Sequence, residues 1–250
     1  MIAKYKITAT IVLFNENVIT LKKTIDSFLN ISFKKKLYLI DNSATNILEK
    51  HFLHEDIEYI FVGKNLGFGK AHNLVLDKLN SHYHIILNPD VEFNEFIIPV
   101  LVKQLELNDD VAFCSPKVVY PDKELQYICR KHPTFFDLLN RKLNLIKNKV
   151  YENEYRGIGL NKAFFPDFIH GCFMFFKTES FKDLNGFDER FFLYMEDADI
   201  CRKIDNLGKK KLYYPDIEII HQHQKGSSKS AKLFFHHISS AFKYFLKWGF

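Results

Sequence analysis

The sequence predicts an α/β fold, a central mostly parallel sheet flanked by helices, with a helical appendage at the C-terminus. Three observations carry this expectation. Over the first ninety residues, β-branched runs alternate with helical patterns, as in a sheet wound with helices. Glycine, asparagine and aspartate collect where the successive strands end. In the last twenty residues Phe234, Ile238, Phe242, Phe245 and Trp248 recur at helical spacing.

The elements follow in order. Ile7 to Phe14, "ITATIVLF", is β-branched and almost uninterrupted, the pattern of a strand buried on both faces. "NVITLKKTIDSFLN" reads as a helix with Ile19, Ile25, Phe28 and Leu29 on one side. "KLYLID" and "IEYIFV" are strands, "GKAHNLVLDKLN" a helix and "HYHIILN" a fourth strand. The second half is less regular. "VAFCSPKVVY" predicts one or two strands, "TFFDLLNRKLNLIKNKV" a basic amphipathic helix and "CFMFFK" an apolar strand. "DADICRKIDNLG" reads as a helix closed by Gly208, and "KLYYPDIEIIH" as two short strands broken at Pro215. Without repeats or linkers, one domain is expected over residues 1–229, with halves 1–92 and 93–229, followed by an amphipathic helix over 230–250.

Composition narrows the class. The 250 residues are 47% hydrophobic and 26% charged, ordinary for a globular chain that buries a sizeable core. A net charge of only +5 and an acidic centre argue against nucleic acid as a partner. No Asp or Glu follows Glu218, whereas Lys225, Lys229, Lys232, Lys243 and Lys247 do, so the aromatic tail favours an anionic surface. Cys114, Cys129, Cys172 and Cys201 form no C-x-x-C pair, which predicts free thiols in a reducing compartment. The first strand begins close to Met1, leaving no room for a signal peptide, and no run approaches the eighteen or so apolar residues of a spanning helix. A cytoplasmic protein is expected.

In wound sheets, ligands bind beyond the carboxyl ends of the strands. Those ends carry Asn15, Asp41-Asn42, Gly63 to Gly69 and Asn88-Pro89-Asp90. Asp90 can hold a divalent cation against a diphosphate, because hard cations prefer oxygen; a strand-ending turn is its other reading. Asn65 to Asn73 is a glycine-containing turn that opens a helix, so its N–H groups can face an anion, although it fits neither the Walker nor the G-x-G-x-x-G pattern. Asp41 can accept from the imide N–H of a uracil or thymine ring, or cap the segment after it.

"FFLYMEDADICRK" raises the sharpest question: Glu196, Asp197 and Asp199 follow an apolar run. The helix dipole accounts for one or two carboxylates in a first turn. A carboxylate against an apolar wall has raised proton affinity and can serve as general base to a hydroxyl. Asp197 and Asp199 point in different directions on a helix and cannot share that task. His221 ends "IEIIH" and His223 lies two residues on, and either imidazole is a candidate metal ligand.

Taken together, "TIVLFN", "LIDNSAT", "KNLGFGKAHN", "ILNPDVEF", "DFIHGCFMFFKTESFKDLNGFDERFFLYMEDADICRKI" and "YYPDIEIIHQHQKGSS" resemble the family 2 glycosyltransferases of GT-A fold, a Rossmann-like nucleotide-diphospho-sugar transferase fold. Within that family they are similar to the rhamnosyltransferase-like branch that builds bacterial surface polysaccharides such as O-antigen. The resemblance implies a dTDP- or UDP-sugar donor bound by Phe14, Asn15, Asp41, Asn65, Gly67, Asn73, Asn88 and Asp90. It implies Mg²⁺ or Mn²⁺ on Asp90 and His221. Asp197 is implied as catalytic base with Glu196 beside it, and Asp167, Gly171, Cys172 and Asp199 border the sugar and acceptor.

The resemblance further implies inverting transfer, best from dTDP-β-L-rhamnose, to a glycan or undecaprenyl-diphosphate-linked acceptor. The tail from "HHISSAFKYFLK" looks like a membrane-proximal end, implying peripheral attachment to the inner face of the plasma membrane. One departure stands out. The family's D-x-D is Asn88-Pro89-Asp90 here, one carboxylate short, which weakens metal binding in the absence of nucleotide. A UDP-hexose donor and a non-catalytic sugar- or lipid-binding module are the rival readings. The second gives no reason for Asp90 and His221 to accompany a carboxylate cluster. A nucleotidyltransferase would need a basic, glycine-rich signature that "LFNENV" lacks.

Overall fold

The computed structural model describes residues 4–137, 140, 146–222 and 231–249. Strand β1 (Lys6–Leu13) has both faces covered: Ile7, Ala9, Ile11 and Leu13 are fully buried on one side, Thr8 and Thr10 on the other. The two threonine hydroxyls meet the ring of His84, at 2.9 Å from Nδ1 and 3.2 Å from Nε2. Burial pulls that imidazole's pKa down to about 3, so it serves the core as a neutral hydrogen-bonding group.

Asn17 starts helix α1 (Val18–Leu29) by accepting from the amides of Ile19 and Thr20 at 2.9 and 3.2 Å. Its buried face is Leu21, Thr24, Ile25 and Phe28; Ile19, expected on that face, is exposed in the first turn, and Leu21 takes its place. Strands β2 (Lys34–Asp41) and β3 (Ile57–Phe61), helix α2 (Phe68–Asn73) and strand β4 (Tyr83–Leu87) complete the wound half. The helix expected over 69–80 ends after six residues, and a 3₁₀ turn at Leu76–Lys78 finishes the connection.

The remaining elements are β5 (Val91–Glu92), α3 (Ile97–Leu107), β6 (Val111–Val119), β7 (Cys129–Arg130), α4 (Lys147–Asn153), β8 (Phe168–Ile169), β9 (Phe173–Lys177) and α5 (Thr178–Asp183). They are followed by α6 (Glu196–Asn206), β10 (Lys210–His221) and α7 (Ala231–Trp248). Of the amphipathic helix expected over 134–150, residues 138, 139 and 141–145 lie outside the described residues. Ile146 is extended, so α4 is a separate helix and not its continuation. Pro215 does not break β10 in two: the strand runs on through a register shift against β6 between Tyr214 and Glu218, a bulge that bends it.

The eight-stranded sheet has the order β3-β2-β1-β4-β9-β6-β10-β5. Neighbours among β1 to β4 are parallel, as are β6 and β10. Strand β9 runs antiparallel between β4 and β6, and β5 antiparallel to β10. Between Leu87 and Val91 the chain can reach only about 14 Å, yet those residues sit four places apart in the sheet. The far edge therefore curls back over the carboxyl end of β4, and Val91 pairs with His221.

The two halves are locked at Gly67. Its φ is +85°, in the region that favours glycine, and a Cβ there would lie 2.1 Å from the Phe192 carbonyl oxygen, which accepts from the Phe68 amide at 3.0 Å. Gly67→Ala is expected to lower the unfolding free energy by about 2–4 kcal/mol, combining left-handed strain with a backbone collision. Urea denaturation of the variant beside the wild type measures it.

Candidate active site

The curl that seats β5 against β10 also brings residues 131 positions apart into contact. Asp90 Oδ1 lies 3.2 Å from His221 Nε2, and the Asn88 amide nitrogen lies 3.4 Å from the same ring nitrogen. The other ring nitrogen of His221 meets Gln126 Oε1 at 3.0 Å, while Gln126 donates to the His221 carbonyl at 2.6 Å, so the ring orientation is set. Burial works to lower the His221 pKa, but the neighbouring Cys172 sulfur and Asp90 carboxylate outweigh it and carry it up to about 10. Among the described residues no three His, Cys, Asp or Glu side chains converge as a metal cage. One carboxylate and one imidazole side by side would fit a hard divalent cation only with the Nε2 proton displaced, since a metal-ligating imidazole is neutral; phosphate oxygens would supply further ligands. His223 lies outside the described residues.

The turn before β9 links this pair to the acidic helix. The Asn88 amide donates to the Cys172 carbonyl at 3.0 Å, and the Gly171 amide donates to Asp197 Oδ2 at 3.3 Å. Asp197 also faces His170 Nδ1 at 3.4 Å and accepts from the Ala198 amide at 2.9 Å. Burial pushes its pKa up, yet His170 and the two amides prevail and hold it below the ordinary range. The raised proton affinity expected of Asp197 falls instead on Glu196. Buried, and facing the charges of Asp197 and Asp199, Glu196 is pushed well above the ordinary range. Both residues line a cavity of about 140 Å³ that also takes in Arg130, His170, Tyr194 and His237.

Asp199 does not reach that cavity. Its carboxylate is fully buried and Oδ1 accepts from Lys247 Nζ at 2.7 Å and Trp248 Nε1 at 2.8 Å. The third carboxylate of the run thus anchors α7, which replaces the acceptor contact expected for it. Asn73 is likewise engaged inside the protein: its side chain donates to the Phe187 carbonyl at 2.8 Å and accepts from the Phe187 amide at 2.9 Å, tying α2 to the approach to α6 rather than facing the crevice. Asp167 lies before β8, accepting from the His132 amide at 3.3 Å, and does not line the cavity.

At the end of β2, Asp41 makes the contacts of a cap. Oδ1 accepts from the Ser43 amide at 2.9 Å and Oδ2 from the Tyr59 hydroxyl at 2.5 Å. Asn65 Oδ1 accepts from the Gly67 amide at 2.9 Å, and the Asn42 side chain donates to the Gly67 carbonyl at 3.0 Å, so the loop is built before any ligand arrives. Asn15, at φ +57°, donates its amide to Ser43 Oγ at 2.9 Å, and Phe14 is exposed beside it. Two residues here were not singled out by the sequence. His170 sits inside a quoted motif with no spacing to mark it. Glu16 follows Asn15 at the strand end, where its field from Asp41 and Asp90 depends on three strands coming together.

Known proteins agree with this architecture. The model for the family described as "Glycosyl transferase family 2" matches residues 8–184. Rhamnosyltransferase WbbL of Escherichia coli (strain K12) is 28% identical over 222 residues, covering 84% of this chain and 81% of the relative. The N-acetylglucosaminyl-diphospho-decaprenol L-rhamnosyltransferase of Mycobacterium tuberculosis (strain CDC 1551 / Oshkosh) is 24% identical over 223 residues, covering 81% and 72%. Among solved structures, GalNAc-T7 with UDP, GalNAc and Mn²⁺ superposes with a TM-score of 0.65 at 16% identity. The mannosyltransferase PcManGT of Pyrobaculum calidifontis with GDP-Man and Mn²⁺ gives 0.62 at 17%. They cover 87% and 89% of this chain, which spans 43% and 59% of theirs. The fold is GT-A.

The surroundings of Glu16 make stability depend on pH. Burial above all, then the charges of Asp90 and Asp41, against a hydrogen bond from the Phe14 amide, lift its pKa from 4.5 to about 7. Between those values the folded chain keeps a proton that the unfolded chain has lost, so stability falls as pH rises through this window and levels off above it. Glu16→Gln is expected to exceed the wild type by about 1–2 kcal/mol near pH 8, after allowance for screening, and to match it near pH 4. Urea unfolding at the two pH values checks it.

Proposed function

The chain belongs to glycosyl transferase family 2, and we propose that it is an inverting enzyme that moves L-rhamnose from dTDP-β-L-rhamnose to a hydroxyl of a lipid-linked glycan acceptor. The observation that carries the reading is the chain of contacts from the Asp90–His221 pair, through Asn88 and the Gly171–Cys172 turn, to Asp197. A diphosphate site and a base then stand on two sides of one turn. The rhamnosyl donor is favoured because two of the relatives are named rhamnosyltransferases. The lipid-linked acceptor is favoured by the diphospho-decaprenol in the name of the mycobacterial relative.

In this reading the nucleotide lies across Asn15, Asp41 and the loop Asn65 to Gly67. Asp90 and His221 would hold Mg²⁺ or Mn²⁺. When bound, the cation neutralises the diphosphate and makes the nucleoside diphosphate a better leaving group. Asp197 takes the proton of the acceptor hydroxyl as that oxygen bonds to the anomeric carbon and the bond to the diphosphate breaks on the opposite face. The product is an α-L-rhamnoside. His170 and the Gly171 amide keep Asp197 ionised and aimed, and protonated Glu196 can donate a hydrogen bond to the acceptor sugar.

The outer face of α7 supports attachment to a membrane. Phe235, Ile238, Phe242 and Leu246 are exposed along it, and Phe135 and Phe136 are exposed nearby, with Phe135 in edge contact with Phe245. An apolar face with lysines around it suits an anionic leaflet. No helix among the described residues is long and apolar enough to cross a bilayer.

Asp197→Asn is expected to lower the transfer rate on the order of a thousandfold while nucleotide affinity stays nearly unchanged. Assay against a panel of dTDP-, UDP- and GDP-sugars measures both and identifies the donor; loss of binding or full activity would overturn the role of Asp197. Ile238→Glu with Phe242→Glu is expected to abolish co-flotation with vesicles containing anionic lipid, and retention of flotation would remove α7 as the attachment.

A further inference from the structure

We infer that Lys247 and Trp248, at the end of α7, are positioning residues for Asp197: they hold the first turn of α6 in the geometry that aims the base. The inference rests on Asp197 being that base. The entry to α6 is a segment that cannot hold its shape alone. Tyr194 and Met195, consecutive non-glycine residues, both have φ of +69°, a region disfavoured for residues with a side chain. No side chain caps the helix that follows: Met195 stands at the N-cap position without a capping hydrogen bond.

The shape is imposed from outside by α7, along nearly its whole length. Ser240 Oγ donates to the Leu193 carbonyl at 2.8 Å, and Lys243 Nζ to the Arg190 carbonyl at 2.7 Å. His236 stacks on Phe192 with ring centres 4.5 Å apart, and His237 meets Tyr194 edge-on at 5.2 Å. At the far end Lys247 reaches both Asp188, at 2.8 Å, and Asp199, at 2.7 Å, and Trp248 adds its indole N–H to the same Asp199 oxygen. Lys247 thus bridges the two ends of the bent segment that presents Asp197.

Asp199 is the handle. It lies in the first turn of α6, two residues from Asp197, and its carboxylate is fully buried. A buried carboxylate deprived of its cation and indole donor must either take a proton or move toward water. Movement would rotate the turn that carries Asp197, and displacement of about 1 Å costs catalysis on the order of a hundredfold. A tail that only shields the core would be indifferent to whether residue 247 is charged.

The test compares Lys247→Met, Lys247→Arg, Trp248→Phe and the double variant Lys247→Met with Asp199→Asn. Lys247→Met and Trp248→Phe should lower kcat about ten- to a hundredfold while the donor KM stays within about twofold. Lys247→Arg should stay near the wild type. The double variant, in which Asp199 no longer carries a charge and Asp188 keeps Arg190, should regain part of the loss. Amide hydrogen exchange at 194–200 should quicken in Lys247→Met while the strands β1 and β4 keep their protection. An unchanged kcat, a parallel loss of kcat and donor affinity, or a double variant no better than the single would overturn the proposal. Absence of transfer by the wild-type protein from every donor would overturn the function itself, a separate failure from quickened exchange without a change in kcat.

Discussion

The short reach of the chain between β4 and β5 governs the rest of the structure. Asn88, Pro89 and Asp90 must carry the backbone from the middle of the sheet to its last strand. The strand that receives them, β10, carries a register shift against β6 between Tyr214 and Glu218. Once Val91 pairs with His221, the register leaves no choice about which side chains meet: Asp90 falls beside the imidazole, and the Gln222 amide donates to the Asp90 carbonyl at 3.1 Å. Helix α1 supports the same turn from below, with the Thr24 hydroxyl donating to the Pro89 carbonyl at 2.8 Å. A two-residue strand thereby does what a long loop with its own ligands would otherwise have to do.

The run Glu196, Asp197, Asp199 shows how one local sequence is divided among three environments. Glu196 is buried with Oε2 lacking any partner, which favours the neutral acid. Asp197 meets an imidazole and two amides and stays ionised. Asp199 is matched by a lysine and an indole from the end of the chain. Repulsion within the run is relieved because Asp197 is the one carboxylate of the three that is both ionised and at the cavity, and its charge is met by His170 and two amides.

Much of the first half was legible in the sequence, since strands buried on both faces leave long β-branched runs and their polar ends are easily found. The second half resisted for physical reasons. A proline reads as a break, whereas in β10 it sits at a bulge that the strand passes through. Helical spacing in α7 marked the apolar residues but not the face that packs: Phe245 is buried while Ile238 and Phe242 are exposed. The resemblance implies a shared role for Asp90 and His221, and the fold brings their side chains to 3.2 Å. The family resemblance implies Asn73 and Asp199 as site residues, but both side chains are engaged inside the protein. Their partners lie 114 and 48 residues away, and no local pattern carries that information.

The contact between the loop Asn65 to Gly67 and the segment that leads into α6 has a bearing on how such a chain can diversify. At position 67 a methyl group strikes the carbonyl of Phe192, and at position 69 it would sit 2.7 Å from the Cβ of Phe187. This glycine-containing stretch is thus closed to larger side chains by neighbours more than a hundred residues further along the chain. A lineage, or a designer, seeking a new sugar preference has little freedom to write it there, and the open rim around Phe14 and Asn15 is where variation meets the least resistance.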